Sequence, residues 1–323
     1  MDDKRFKRAK VAVLGGAGFI GRALAQRISG YVDVLRVIDK RASSTQYSDL
    51  KNTEVHEADA RDQESIGRAV KNCSIVFNLI GEGGHLESID NPLQDLESNV
   101  CAQLTILEAC KAQAPGAHII FASTRQVYGS PEYLPVPECH PVNPLDVNGI
   151  NKLAAENYHL LYSRMCGIRS TVLRLTNTYG PGMLTSGANS TFLGAWIRQL
   201  LDGKPISIFG DGGSVRDMTH VQDVVDAFVK AASFPLKTNG EIFNVGSGVP
   251  LTLKEIADHL IRLSKYPTEI EFQPIPQLLR QIDIGDYVAD VKKFKNRTGW
   301  LAKIPFLKGL RATLDSFGLI ANE

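Results

Sequence analysis

Val11-Ala-Val-Leu-Gly-Gly-Ala-Gly-Phe-Ile-Gly21 decides the fold of this chain. Its first four apolar residues predict a buried strand, and residues 22–28 after the last glycine predict a helix. Gly15 allows a tight turn, Gly18 lets the backbone approach a diphosphate, and Gly21 lets the helix pack closely on the strand. The helix N-terminus then offers N–H groups and a partial positive charge to that diphosphate. By itself G-x-x-G-x-x-G is a weak signal, because any tight strand-to-helix turn can use it.

A second predicted strand, residues 32–38, ends in Asp39. An acidic side chain about 20 residues beyond the glycines accepts hydrogen bonds from a ribose 2′-OH and repels a 2′-phosphate. The pattern therefore favours NAD over NADP. Lys40 and Arg41 leave NADP as the lesser alternative, because a basic side chain can bind a phosphate. A solvated surface aspartate without function is the other alternative.

Composition excludes several classes of partner. The chain has 323 residues, 43% of them hydrophobic, and a formal net charge of +1, so no general field attracts nucleic acid or an anionic membrane. The basic residues 4–8 lack the apolar stretch that a signal peptide or membrane helix needs. Five scattered cysteines without a C-x-x-C pair predict free thiols in the cytoplasm and no metal site.

Strand and helix patterns alternate through the first half of the chain, which predicts an α/β fold with a doubly wound parallel sheet of the Rossmann type. The alternation breaks beyond Thr176, where glycine loops and leucine-rich segments follow. We expect an NAD-binding domain over residues 1–175 and a mainly substrate-binding domain over 176–323. Residues 215–246 are expected to return to the first domain. The second domain would close over the carboxyl ends of the strands, where ligands bind in such sheets.

Further motifs follow the glycine turn in order: Asp59-Ala60, Phe121–Gly129, Arg174–Gly182 and Phe209–Asp217. With them the chain resembles, over nearly its whole length, the extended short-chain dehydrogenase/reductase family. It is most similar to the NAD-dependent nucleotide-sugar epimerases and dehydratases, such as the UDP-glucose 4-epimerases. The resemblance implies NAD as cofactor and a nucleotide-diphosphate sugar as substrate. It also implies a homodimer formed by the predicted helices 93–112 and 149–165.

The same resemblance assigns roles to individual residues. The implied cofactor-binding residues are Gly15, Gly18, Phe19, Ile20, Gly21, Asp39, Lys40, Asp59, Ala60, Leu79 and Lys152. The implied substrate-binding residues are Ser88, Thr124, Asn177, Arg216, Arg280 and Asp283. Thr124 takes the place of the family's catalytic Ser or Thr, and Arg216 that of its diphosphate ligand. A guanidinium suits a diphosphate because it stays charged and binds two oxygens at once. The bland alternative for Arg216 is an exposed partner of Asp217.

One position departs from the family. Its Tyr-x-x-x-Lys pair supplies a tyrosine base and a lysine that lowers the tyrosine pKa, and here Lys152 is present while Asn148 stands in the place of the tyrosine. An asparagine cannot act as a general base near neutral pH. The alternative bases are Lys152 itself, Glu82 and His85.

Three outcomes of this departure are open. In one, Tyr128 or Tyr179 would reach the sugar in place of the missing tyrosine. In another, the oxidation step would be slow or absent, and the chain would be a binding protein for NAD and a nucleotide sugar. We expect retained catalysis by a relocated base, because Thr124, Lys152 and both arginine motifs are in place.

The type of reaction follows from the residues after Thr124. The family's 4,6-dehydratases carry Thr-Asp-Glu at this point, whereas this chain has Thr124-Arg125-Gln126 and lacks both carboxylates. Dehydration is therefore disfavoured. Epimerisation at C4 needs only reversible hydride transfer and rotation of a keto-sugar, and it is our prediction. Decarboxylation of a nucleotide-linked uronic acid, served by Glu82 or Arg125, is the alternative.

Overall fold

The computed structural model describes residues 5–81, 83–187 and 190–320. Its strands are β1 (Lys10–Leu14), β2 (Val34–Asp39), β3 (Thr53–Glu57), β4 (Ile75–Asn78), β5 (His118–Thr124), β6 (Arg169–Leu175), β7 (Asn177–Tyr179), β8 (Ile206–Phe209), β9 (Val215–His220), β10 (Glu241–Val245), β11 (Pro250–Thr252) and β12 (Ile270–Gln273). Its helices are α1 (Phe19–Ile28), α2 (Gln63–Val70), α3 (His85–Asp90), α4 (Pro92–Leu96), α5 (Ala102–Gln113), α6 (Val147–Met165), α7 (Phe192–Leu201), α8 (Val221–Ser233), α9 (Pro235–Thr238), α10 (Leu253–Leu263), α11 (Gln277–Ile282), α12 (Lys292–Thr298) and α13 (Phe306–Ser316). Short 3-10 turns cover Ser29–Tyr31, Ser44–Tyr47 and Arg125–Tyr128, and a π-helical turn, Glu97–Cys101, joins α4 to α5.

Seven parallel strands form the main sheet in the order β10-β6-β5-β4-β1-β2-β3. Val11 in β1 pairs with Leu35 of β2 on one side and Ile75 of β4 on the other. The strand order reverses between β1 and β4, and this switch point is where ligands bind in doubly wound sheets. The predicted Rossmann-type sheet is confirmed.

Helices cover both faces of this sheet. Val13 of β1 joins a buried cluster with α1 and α8, represented by Leu24 and Phe228. Leu14, one residue on, joins a different buried cluster with α2 and α5, because successive side chains of a strand point to opposite faces. With both faces closed by apolar packing, the polar groups that can meet a ligand lie at the strand ends.

The chain beyond β6 builds a smaller unit beside the carboxyl edge. Two small sheets, β11-β9-β7 and β12-β8, pack with α7, α10 and α13 around a cluster that includes Leu193, Leu260 and Leu310. In contrast, β10 pairs with β6 in the main sheet, where Phe243 lies beside Leu173, and α8 packs on α1. The two-domain division at residue 175 stays a prediction.

The two long helices differ in detail from their predicted bounds. The predicted helix 93–112 is α4 and α5, which the π-helical turn connects. The predicted helix 149–165 begins earlier, at Val147, because the Asp146 side chain caps it by accepting a hydrogen bond from the Gly149 N–H. None of the described helices has the length and apolar character needed to cross a membrane.

Candidate active site

The glycine turn after β1 is shaped by close backbone contacts. Gly15 has φ +76°, and a Cβ there would lie 2.9 Å from the Leu79 carbonyl oxygen. A Cβ at Gly21 would collide with the Gly15 carbonyl, so α1 can lie this close to the turn only without it. Gly18 precedes α1, whose first turn has no acidic side chain. The first-turn N–H groups therefore face an edge suited to a phosphate.

Asp39 ends β2 beside this turn and is 6% exposed. Its Oδ2 accepts a hydrogen bond from the Ala17 N–H at 3.1 Å, and its Oδ1 accepts one from the Arg41 N–H at 2.9 Å. These bonds hold a carboxylate next to the diphosphate position with acceptor capacity to spare. The glycine cradle and this carboxylate together fit the diphosphate and ribose of NAD.

Other predicted cofactor residues lie around the same edge. Phe19 and Ile20 pack from α1 against the apolar core, and Ala60 is buried after β3. The Asp59 carboxylate lies 2.7 Å from Nη2 of Arg61, whose hydrogen bonds lower the pKa of Asp59 to about 2. Asp59 is therefore ionised at neutral pH.

Lys152 lies on α6, and its amine is close to the segment that follows β4. Its Nζ donates to the Ile80 carbonyl at 3.4 Å and lies 5.3 Å from the centre of the Phe121 ring. Gly81 leaves the space for this amine, since a Cβ there would collide with Nζ. Burial lowers the pKa of Lys152 to about 8, although the nearby carboxylate of Asp95 acts in the opposite direction.

Asn148 is a buried residue. It is 1% exposed, and its Nδ2 donates to Oδ2 of Asp95 at 3.1 Å. Asn151 donates to the other oxygen, Oδ1, at 2.8 Å. The buried Asp95 carboxylate is thus held by two amides from the first turns of α6, and the Asn148 amide serves this cluster.

His85 opens α3, four residues after Gly81. Its Nδ1 lies 2.7 Å from Oδ2 of Asp146. Burial of Asp146 opposes ionisation, but the hydrogen bonds from His85 and the Gly149 N–H outweigh it and hold the pKa of Asp146 below its usual value. Because an ionised carboxylate only accepts hydrogen bonds, Nδ1 carries a proton, and in the neutral imidazole the acceptor is then Nε2. The His85 side chain is 38% exposed, so this ring can reach a ligand.

The 3-10 turn after β5 brings Thr124 to the same place. The Thr124 hydroxyl accepts a hydrogen bond from the Gln126 N–H at 3.3 Å. The Gln126 side-chain amide donates to Oδ2 of Asp146 at 3.4 Å and lies 3.5 Å from Nδ1 of His85. Thr124 and the His85–Asp146 pair therefore share one edge of the sheet. Ser88 is buried below them and donates to the His85 carbonyl at 2.7 Å. Glu82 lies outside the described residues.

The two tyrosines offered as substitutes are both engaged inside the protein. The Tyr128 hydroxyl donates to Asn244 at 2.7 Å, and burial raises the pKa of Tyr128 to about 12. The Tyr179 hydroxyl donates to the Phe306 carbonyl at 3.1 Å, and burial raises its pKa as well. Neither residue is suited to accept a proton from a sugar.

On the second side of the cleft Arg216 is 8% exposed in β9. Its Nη2 lies 3.2 Å from each oxygen of Asp283, and its Nη1 donates to the Gly285 carbonyl at 3.0 Å. It is not the exposed partner of Asp217, which is itself buried. Arg280 is exposed on α11. The Asn177 Oδ1 atom is buried and has no hydrogen-bond partner among the described residues.

Sequence reasoning missed three polar groups at this edge: Asp95, Gln126 and Asp146. The sequence did contain a signal for Asp146, because aspartate is a preferred N-cap residue and Asp146 directly precedes the first residue of α6. No sequence signal marks Asp95, which sits on a helix whose other side chains are mostly exposed.

Comparisons with known proteins agree over most of the chain. The model of the "NAD dependent epimerase/dehydratase family" matches residues 11–246. A putative UDP-glucose 4-epimerase of Methanocaldococcus jannaschii is 29% identical, over 94% of this chain and 97% of its own length. UDP-glucose 4-epimerase of Thermotoga maritima, solved with UDP-glucose, is 28% identical with a TM-score of 0.87, over 96% of this chain and 98% of its own. MoeE5, solved with UDP-glucuronic acid and NAD, is 27% identical with a TM-score of 0.86, over 96% of this chain and 99% of its own.

Proposed function

This chain belongs to the NAD dependent epimerase/dehydratase family, and within it we propose an NAD-dependent nucleotide-sugar epimerase that acts at C4 through a transient keto-sugar. Bound NAD would supply the acceptor, and later the donor, for a hydride of the sugar carbon. Gly15, Gly18 and Gly21 would hold its diphosphate, and Asp39 its adenosine ribose.

The His85–Asp146 pair is the observation that carries the catalytic part of this proposal. Asp146 holds a proton on Nδ1, so Nε2 is the atom that can act as a base, on a partly exposed ring that Gln126 links to Thr124. His85 would take the proton of the 4-hydroxyl as the sugar is oxidised. It would return that proton to the C4 oxygen when the hydride adds to the opposite face of C4. Thr124 would share a hydrogen bond with the same hydroxyl. The proton and the hydride both return, so no net oxidation occurs.

Lys152 has a separate part in the proposal. Its amine is buried near the end of β4, and it is mostly protonated below its pKa of about 8. We assign it to the nicotinamide ribose of NAD, whose hydroxyls accept hydrogen bonds from an ammonium group. Its positive charge would also favour departure of the hydroxyl proton nearby.

Substrate would lie between the sheet edge and the smaller unit. Arg216 would bind the diphosphate, a role that rests on the family resemblance and suits a guanidinium, and its contact with Asp283 would orient it. Asn177 would use its buried Oδ1 toward the sugar nucleotide. Arg280 and Ser88 are also proposed to bind substrate, and this part of the proposal rests on the family resemblance alone.

A homodimer in the cytoplasm completes the proposal. Exposed apolar side chains lie on α4 and α6, the helices implicated by the resemblance: Leu93 is 75% exposed and Ile150 is 53% exposed. Leu96 and Leu161 are exposed on the same two helices. Burying such a patch against a second copy is favourable because apolar surface leaves water. Cys101 and Cys139 are exposed free thiols, which suits a reducing compartment.

The proposal is tested by incubating the protein and NAD with UDP-, dTDP-, GDP- and CDP-sugars in deuterated water and following the products by NMR. An inverted C4 centre without deuterium is expected, because the hydride returns internally. Deuterium next to a carbonyl would identify dehydration or related chemistry instead. Binding of NAD and a nucleotide sugar without any product would leave a binding protein and reject the catalytic role of His85.

A further inference from the structure

Arg125 is a half-buried cation next to Thr124. It follows Thr124 directly and begins the 3-10 turn at the end of β5. Its guanidinium carbon lies 5.5 Å from the centre of the Tyr287 ring, and Nη1 lies 3.4 Å from Oε1 of Gln126. Within residues 5–81, 83–187 and 190–320, no carboxylate lies within ion-pair distance of it. A half-buried arginine in a cleft wall usually has such a partner.

A second guanidinium lies on the other side of the same segment. Arg216 donates to the Val215 and Gly285 carbonyls, and the Tyr287 N–H donates to the same Val215 carbonyl at 3.2 Å. Residues 285–287 thus separate Arg216 from Arg125. Burial and the positive charge of Arg216 lower the pKa of Arg125 to about 10. Asp283 pairs directly with Arg216, whereas Asp283 and Asp217 act on Arg125 only from beyond ion-pair distance and oppose the lowering of its pKa. Among the described residues, Arg125 is thus the guanidinium of the two without a carboxylate in direct contact, and a bound anion could take that place.

An unsatisfied hydroxyl lies at the same position. Tyr287 is 0% exposed, and its Oη has no hydrogen-bond partner among the described residues, while its ring lies against Arg125. Buried polar atoms are almost always hydrogen-bonded, so an orphaned hydroxyl beside a guanidinium with no described carboxylate in direct contact points to a ligand that accepts from both. A carboxylate has two acceptor oxygens and matches the planar guanidinium fork.

We propose that Arg125, supported by Tyr287, binds a carboxylate on the sugar ring, so that the substrate is a nucleoside diphosphate uronic acid. This inference rests on the proposed function for the position of the sugar. Arg125 adjoins Thr124, where the reacting hydroxyl is placed, whereas Arg216 lies on the wall assigned to the diphosphate. A neutral hexose would leave Arg125 without an anionic partner in direct contact. Arg125 is in this view the residue that selects uronic acids over neutral sugars.

The test compares binding of matched sugars to the NAD-bound protein. Titration calorimetry with UDP, dTDP, GDP and CDP first identifies the nucleotide, and the glucose and glucuronic acid conjugates of that nucleotide are then titrated. The wild-type protein is expected to bind the uronic acid at least 10-fold more tightly than the neutral sugar. Arg125→Gln should weaken binding of the uronic acid conjugate roughly 10- to 100-fold. It should change the affinities for the neutral sugar conjugate and the free nucleotide by less than about 3-fold.

Two further variants keep the result interpretable. Arg125→Lys retains the charge without the fork and should give an intermediate loss if the folded structure is intact. Arg68→Gln removes a charge from the exposed surface of α2 and should leave every affinity unchanged. An equal loss for the free nucleotide and the uronic acid in Arg125→Gln would place this arginine on the diphosphate and overturn the proposal. So would a wild-type protein that prefers the neutral sugar.

Failure of this inference is separable from failure of the proposed function. If the uronic acid binds selectively through Arg125 but no C4 epimer forms, the carboxylate site stands and the epimerase proposal falls. Release of CO₂ with a pentose product would keep the carboxylate site and change the reaction to decarboxylation. Epimerisation of neutral sugars alone would keep the epimerase and remove the carboxylate site.

Discussion

Nδ1 of His85 lies 2.7 Å from Oδ2 of Asp146, and this contact joins the first residue of α3 to the residue that caps α6. Asp146 therefore has two tasks, since its Oδ1 also accepts from the Gly149 N–H at 2.6 Å. Asp146 is two residues before Asn148, the position at which the family resemblance expects a tyrosine. The contact offers a base close to the place from which the tyrosine is missing.

Replacing His85 with glutamine should lower kcat by about 100-fold or more, because general acid–base groups contribute roughly 10²- to 10⁴-fold. Nucleotide-sugar affinity should stay near that of the wild type. Asp146→Asn keeps a capping side chain but loses the fixed tautomer, so we expect a smaller loss in kcat with little change in KM and an altered pH profile. Steady-state kinetics of both variants from pH 6 to 9 measure this. Wild-type kcat in His85→Gln would exclude His85 as the base.

The rate should fall as the pH rises through about 8. Burial lowers the pKa of Lys152 to about 8, so the ammonium form that is assigned to the ribose dominates below that pH and is lost above it. Lys152→Met should weaken NAD binding and remove most activity over the whole range. Initial rates at saturating NAD, measured from pH 6.5 to 9.5, give the profile. A rate that instead climbs through pH 8 would identify the neutral Lys152 amine as the base.

Asp39→Ala should weaken NAD binding by about 10-fold, because a charged acceptor for the ribose hydroxyls is lost. It should also reduce the preference for NAD over NADP, because repulsion of a 2′-phosphate is relieved. Asp33→Ala removes an exposed aspartate just before β2 and serves as the matched control. Titration with both cofactors, followed by intrinsic fluorescence, measures the change. Equal affinities for NAD in both variants would remove Asp39 from the cofactor site.

The free energy of unfolding should decrease as the pH falls below about 6.5. His159 and His118 are buried, and burial lowers the pKa of each to about 3. Between pH 6.5 and 3 the unfolded chain therefore binds protons that the folded chain does not, and stability falls by up to about 1.4 kcal/mol per pH unit for each histidine.

Urea unfolding between pH 7.5 and 5 measures this slope. His159→Gln and His118→Gln should each reduce it by about one proton, whatever their effect at pH 7.5. The slope is the readout because the substitutions also disturb packing, such as the stacking of His159 on Phe121. A double variant with the wild-type slope would show that these two groups do not control acid stability.

Leu93→Asp combined with Ile150→Asp should convert a dimer into a monomer, because a charge placed in an apolar interface must be desolvated without a partner. Leu236→Asp is the control, since Leu236 is 96% exposed on α9. Light scattering coupled to size-exclusion chromatography gives the mass of each variant. A monomeric wild-type protein, or a dimer that survives both charges, would remove α4 and α6 as the interface.

Some features of the molecule follow from short stretches of sequence alone. The glycine turn from Gly15 to Gly21 and the position of Asp39 at a strand end are local, because backbone freedom and strand periodicity act over a few residues. Alternating strand and helix patterns then leave few topologies, since crossovers between parallel strands are right-handed. The main sheet was predictable for this reason, and so was the cofactor.

The contacts that make the site depend on tertiary structure. Arg216 meets Asp283 across 67 positions, and Lys152 meets the Ile80 carbonyl across 72. Periodicity assigns a residue to a face or an edge, but it does not determine which distant loops converge there. Thus the sequence by itself determined the Rossmann-type sheet, the glycine cradle and the absence of the usual tyrosine. Only the tertiary structure decided that Asp146 contacts His85 and that Arg125 lies over Tyr287, because packing of separate elements sets those distances.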